Sequence, residues 1–164
     1  MKLLGLAALV IVLWLLLTRK SRASQARPAP RPLSSFQTPM DGASGSDALD
    51  NITQAIYQFE GGQPGQRNVV NNNPGDLRSG PGMTGSAGGF ATFNDIGDGW
   101  DALGSLVQKK AAAHPDWNFY DLFNNWLGGG PDSAPQGDPT AYANYVAGYA
   151  GFDPNQTVSS ALGS

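Results

Sequence analysis

The chain has 164 residues, with 22 Gly, 12 Pro, no Cys, one His and one Glu. So much Gly and Pro excludes a bundle of long regular helices, and the missing Cys excludes disulfides, a thiolate nucleophile and a Cys-built zinc site. The lone His excludes a multi-His metal centre and leaves little material for a Ser-His-Asp triad; no metal or cofactor is expected. Charge is unevenly spread: residues 1–31 hold six basic side chains and no acid, whereas residues 32–164 hold four basic and thirteen acidic ones, a net charge of −9. A folded part that acidic repels phosphate backbones, so nucleic acid is excluded as a partner.

Leu3 to Leu17 is an unbroken apolar or Gly run flanked by Lys2 and by Thr18-Arg19-Lys20. A helix of that length falls short of a hydrocarbon core of about 30 Å, and Met1, Thr18 and snorkelling basic side chains extend it. We read residues 1–18 as a transmembrane anchor that contacts lipid. The competing reading is a cleaved signal peptide, with small residues around Ser21-Arg22-Ala23. Residues 19–46 are rich in Pro, Arg and Ser without helix or strand period, which predicts an extended linker, either solvated or resting on anionic headgroups.

Residues 47–164 are expected to form one domain, mainly α with a small β-hairpin. A first helix starts at Ser46 or Asp47, runs to about Phe59 and stops at Gly61-Gly62, with Leu49, Ile52, Ile56 and Phe59 on its apolar face. A second opens near Asp95 or Asp98 and ends by Pro115, with Ile96, Trp100, Leu103, Leu106 and Val107 inward. A third covers Asn118 to Leu127, burying Phe119, Leu122, Phe123 and Trp126. The fourth has Asp138 as cap, Pro139 at its first position and Gly151 at its end, and turns Tyr142, Tyr145, Val146 and Tyr149 inward. Asp153-Pro154 starts a last short helix to about Ala161. Leu77-Arg78 and Phe90–Phe93 are expected as the two strands of the hairpin.

Glu60 sits where the first helix breaks. At about 100° per residue it falls about 20° from Leu49, beside the apolar stripe. A carboxyl there meets apolar surroundings next to a Gly-Gly opening, which raises its pKa and suits a general acid. The plain structural alternative is a Glu splayed into water at a fraying helix end. Asn71-Asn72-Asn73-Pro74-Gly75-Asp76 then makes a turn dense in amide donors and acceptors, groups that read sugar hydroxyl and acetamido substituents; an Asn-rich turn is also common without such a role. Of the later aromatics (Phe90, Phe93, Trp100, Trp117, Trp126, Tyr142, Tyr145, Tyr149), most are core by spacing and one or two are expected in a cleft. A calcium loop at Asn94–Asp101 lacks the EF-hand spacing, and helix capping accounts for its acids.

Four motifs follow one another in a specific order: Ile56-Tyr57-Gln58-Phe59-Glu60-Gly61-Gly62, Asn71-Asn72-Asn73-Pro74-Gly75-Asp76-Leu77, Gly89-Phe90-Ala91-Thr92-Phe93 and Gly99-Trp100-Asp101-Ala102-Leu103. Together they resemble the lysozyme-like lytic transglycosylases of bacteriophage virions, in which a helix ends in the catalytic Glu. An NNNPGN(L/I) turn, an F-A-x-F strand and a G-x-x-A-L helix follow there, and a late Thr-x-Tyr segment is matched by Thr140-Ala141-Tyr142. The resemblance spans about residues 47–162, and Asp76 departs from the usual Asn. Together with the anchor, it is similar to the membrane-associated transglycosylases of tectivirus-like phages.

The resemblance implies a lysozyme-like domain that cleaves the MurNAc-GlcNAc bond of peptidoglycan, with Glu60 as catalytic residue. Asn71, Asn73, Phe90, Thr92 and Tyr142 are the expected substrate-binding residues. One acid suffices for a lytic transglycosylase, whereas ordinary glycosidases need a carboxylate pair. The alternatives are a hydrolytic lysozyme in which Asp76 or Asp95 assists a water, a binding module that keeps the fold without catalysis, and a structural membrane protein of the virion. The expected location is the internal membrane of a phage virion, with other virion membrane or capsid proteins as neighbours; a bacterial inner membrane facing the periplasm is the alternative.

Overall fold

The structure, a computed structural model, describes residues 45–130, 133 and 136–164. The expected anchor and nearly all of the expected linker lie outside the described residues. Among those described, no helix is long and apolar enough to cross a membrane. The fold is mainly helical with one two-stranded antiparallel sheet, in the order α1 (Gly45–Phe59), α2 (Arg67–Val70), β1 (Met83–Ala87), β2 (Phe90–Phe93), α3 (Ile96–Ala113), α4 (Phe119–Trp126), α5 (Pro139–Ala150) and α6 (Val158–Ala161).

Local capping chemistry sets most of these boundaries. Asp95 accepts from the Asp98 amide at the start of α3, and Asn118 and Asp121 form a reciprocal capping box on α4. Asp138 accepts from the amides of Thr140 and Ala141, Pro139 follows it, and Gly151 closes α5 in the left-handed conformation. Helix α1 packs on α5 and α3, and α4 packs on α5. Ile52, Ile56, Leu103, Val107, Phe119, Phe123, Tyr142 and Val146 are all fully buried between them, so the core lies along α1 from Ala48 to Ile56.

Several sequence expectations need correction. The strand that pairs with β2 is Met83–Ala87, not Leu77-Arg78. Gly88 and Gly89, both at positive φ, form a two-residue turn whose twist suits a tight hairpin. Leu77 touches β2 through one backbone bond, Ala91 N–H to Leu77 O at 2.7 Å, and Gly80-Pro81-Gly82 interrupts any continuation. Ile96 is exposed at the first turn of α3. On α5, Tyr145 and Tyr149 are also exposed, because Ala143, Ala147 and Ala150 take the core side and let the helix approach its neighbours closely. Asp153 makes a local turn with the Asn155 amide, and the last helix starts only at Val158 behind Thr157. Helix α2 was not expected at all.

Candidate active site

Helix α1 ends in a Schellman motif. The Gly61 amide donates to Gln58 O at 3.2 Å and the Gly62 amide to Tyr57 O at 3.1 Å, with Gly61 at φ +89°. This pair of bonds needs a left-handed residue after the cap, which Gly supplies without a Cβ clash. A Cβ on Gly62 would fall 2.4 Å from the Tyr57 ring, so the second glycine lets the chain fold back against α1. Glu60 is the cap residue of this motif. Its amide still bonds to Ile56 O at 2.9 Å, and its side chain is half-buried rather than splayed into water.

Across from it on α5, the Tyr142 hydroxyl donates to Glu60 Oε1 at 2.6 Å. The tyrosine ring is fixed between two phenylalanines: centroids lie 4.0 Å from Phe59 at 19° and 4.1 Å from Phe123 at 16°. Burial raises the Glu60 carboxyl above its ordinary pKa; the Tyr142 bond works against that, Asp76 adds to it and Arg67 opposes it. Tyr142 is pushed well above its own ordinary value, by burial first and then by Glu60. It therefore stays a neutral donor through the physiological range.

The Asn-rich turn is a fastening device. Asn73 is fully buried; its Nδ2 donates to Leu77 O at 2.8 Å and Ala91 O at 2.9 Å, and its Oδ1 accepts from the Leu77 amide at 2.8 Å. Asn72 sits at φ +52°, a conformation Asn tolerates better than most residues, and donates to Phe93 O at 3.2 Å. Asn71 is buried, its carbonyl accepts the Phe93 amide at 3.1 Å, and its Nδ2 has no protein partner. These amides clamp both ends of β2 to the turn.

Asp76, at φ +48°, takes both arms of the Arg67 guanidinium: Nε to Oδ1 at 3.1 Å and Nη2 to Oδ2 at 2.6 Å. The same guanidinium lies 3.5 Å from the Phe90 ring centroid, a cation–π arrangement. Phe90 and Thr92 are both half-buried and share the face of β2 opposite the core residues Ala91 and Phe93.

The structure thus brings Glu60 and Tyr142 into direct contact and places Phe90 under Arg67. Asn71 and Asn73 lie beneath the turn, with Asn73 saturated by backbone. Sequence reasoning missed Arg67, whose signal would have been a basic residue in reach of the one acid that departs from the NNNPGN pattern. Surface depressions of about 180 Å³ and about 230 Å³ lie at Gly80–Lys109 and at Trp117–Gly130, and neither is lined by Glu60. Among the described residues, no group of three or more His, Asp or Glu side chains is placed to hold a metal ion. Comparison of the chain with family models, with curated proteins and with solved structures finds no match.

Proposed function

We propose that the chain is a peptidoglycan lytic transglycosylase with a lysozyme-like domain and Glu60 as its acid and base. The observation that carries this reading is a half-buried carboxyl, raised in pKa, held by one neutral tyrosine donor. Such a group keeps its proton toward neutral pH and can return to the anion without losing its orientation. In the reaction, the Glu60 carboxyl proton passes to the glycosidic oxygen between N-acetylmuramic acid and N-acetylglucosamine as the C1–O bond breaks. The C6 hydroxyl oxygen of the muramic acid then bonds to C1, and its proton passes to the Glu60 carboxylate. The product is a 1,6-anhydro end, no water is consumed, and the enzyme is restored.

The disposition of the other acids favours this route over hydrolysis. Asp76 has both oxygens on Arg67, and Asp95 caps α3. Both therefore have structural roles apart from that of a second glycosidase carboxylate. The partner is therefore the glycan strand, with residues 1–18 holding the protein to lipid.

The test is mass spectrometry of products released from purified peptidoglycan by the full chain in detergent micelles. Anhydro ends lighter than reducing ends by one water are expected. Reducing ends would replace this reading with a lysozyme. Glu60→Gln, which keeps the Tyr142 bond but has no proton to give, is expected to lower turnover by at least about a hundredfold. Turnover like that of the wild type would remove Glu60 from the mechanism.

A further inference from the structure

Two carboxylates compete for one guanidinium near the site, and the fold awards it to Asp76. The Asp76 side chain is only 9% exposed while that of Arg67 is 50% exposed, and the Arg67 guanidinium bonds both oxygens of that shielded carboxylate. The pair is held from three sides. The left-handed turn at Asp76 aims the carboxylate, the two-bond fork fixes the guanidinium plane, and the Phe90 ring supports that plane from below. Arg67 is thereby kept from rotating toward Glu60, whose bonded partner is the uncharged Tyr142.

Resting on the reading of Glu60 as the acid, we propose that Asp76 and Arg67 act as a charge-neutral pair of positioning residues that preserves the Glu60 proton. The groups that act on Glu60 are Tyr142 from α5, which is bonded to it, and the charges of Asp76 in the turn and Arg67 in α2. The two charges act in opposite senses: the anion disfavours ionisation of Glu60 and the cation favours it. Removing either one leaves the other uncompensated beside the catalytic carboxyl. An Asn in place of Asp76 would leave the guanidinium without its carboxylate and lower the pKa of Glu60.

Glu60 is the only Glu in the chain, so glutamate labelled with ¹³C at the side-chain carboxyl gives a single titrating glutamate resonance in the full chain in detergent micelles. Asp76→Asn is expected to move its midpoint down by about one unit, an about tenfold smaller protonated fraction above the midpoint. Arg67→Gln is expected to move it up, and the double variant to return close to the wild type. Asp76→Glu, which restores the charge and adds a second labelled carboxyl, is expected to rescue the Glu60 midpoint, the resonance of Glu60 being the one lost when Glu60→Gln is added, and it keeps the test decisive where Arg67→Gln does not fold. The descending basic limb of the pH–rate profile should follow each midpoint. A midpoint unmoved by Asp76→Asn, both single variants shifting in one direction, or a limb that ignores the midpoint would overturn the proposal. A wild-type chain that releases no anhydro product would sink the proposed reaction instead, leaving the titration to judge the pair.

Discussion

Glu60 gives up water when the chain folds, and that loss links its protonation to stability. Its folded pKa lies above its unfolded value because burial disfavours the anion. Such a group adds stability that is complete below the unfolded pKa and is lost as pH rises through the folded pKa. Glu60→Gln has no such slope, yet its amide oxygen still accepts from Tyr142. The variant should therefore melt higher than the wild type near about pH 7, with the gap closing near about pH 4. Thermal melts of both chains across that range check it; a gap that is absent, or that widens toward acid, would show that Glu60 is not strained by burial. Burial of Glu60 thus costs stability wherever its carboxyl is ionised. Tyr142 limits that loss by bonding the carboxyl in either form.

At the level of elements, glycine positions separate those that the packing needs from those it does not. Gly99 lies in the first turn of α3 where that helix crosses the Asn-rich turn, and a Cβ there would sit 2.0 Å from Asn72 O and 2.7 Å from Pro74 Cδ. Backbone cannot yield that far, so Gly99→Ala should separate α3 from the turn and cost about 3 kcal/mol, in the range of severe overpacking. Gly148 is exposed in the interior of α5 with nothing within 4 Å of a Cβ, and Gly148→Ala should instead stabilise by about 0.5–1 kcal/mol. Urea unfolding of both variants reads the two signs, and a neutral Gly99→Ala would contradict the close crossing. The same locality explains what the sequence made legible. Caps at Asp95, Asn118 and Asp138-Pro139, and the stops at Gly61 and Gly151, are decided by neighbours within four residues. The position of Glu60 beside the apolar stripe followed from the helical period alone. The partner of β2 did not, because Met83–Ala87 is exposed at nearly every position and shows no alternation to read. Nor did the burial of Ala143 and Ala147 in place of Tyr145 and Tyr149, since both sets recur at helical spacing and only the closeness of the neighbouring helices chooses between them. The Arg67–Asp76 fork joins residues across a turn whose left-handed geometry has no sequence period.

For the molecule as a whole, the described part closes on itself. The start of α1 meets the C-terminal end, where a Cβ on Gly45 would lie 2.6 Å from Leu162 O, and the core elements among the described residues bury one another. Five basic residues follow the proposed span and one precedes it, a bias that for such a span favours holding the following domain on the cytosolic side. The acidic domain, at −9 beyond residue 31, is repelled by anionic headgroups, while the basic linker is drawn to them. A wall-degrading enzyme held in the cytosol meets no substrate in the producing cell. A phage that forms its internal membrane from the host inner membrane resolves this, because the cytosolic face becomes the outer face of the vesicle, beneath the capsid. The enzyme would then reach peptidoglycan only at infection, where an opened strand lets the genome pass through the cell wall. Spheroplasts expressing the full chain test the orientation: external protease should leave the C-terminal domain intact until the membrane is permeabilised by detergent. Digestion before permeabilisation would place the domain in the periplasm and make this a bacterial inner-membrane enzyme, with its basic linker on the outer leaflet and its substrate in constant reach.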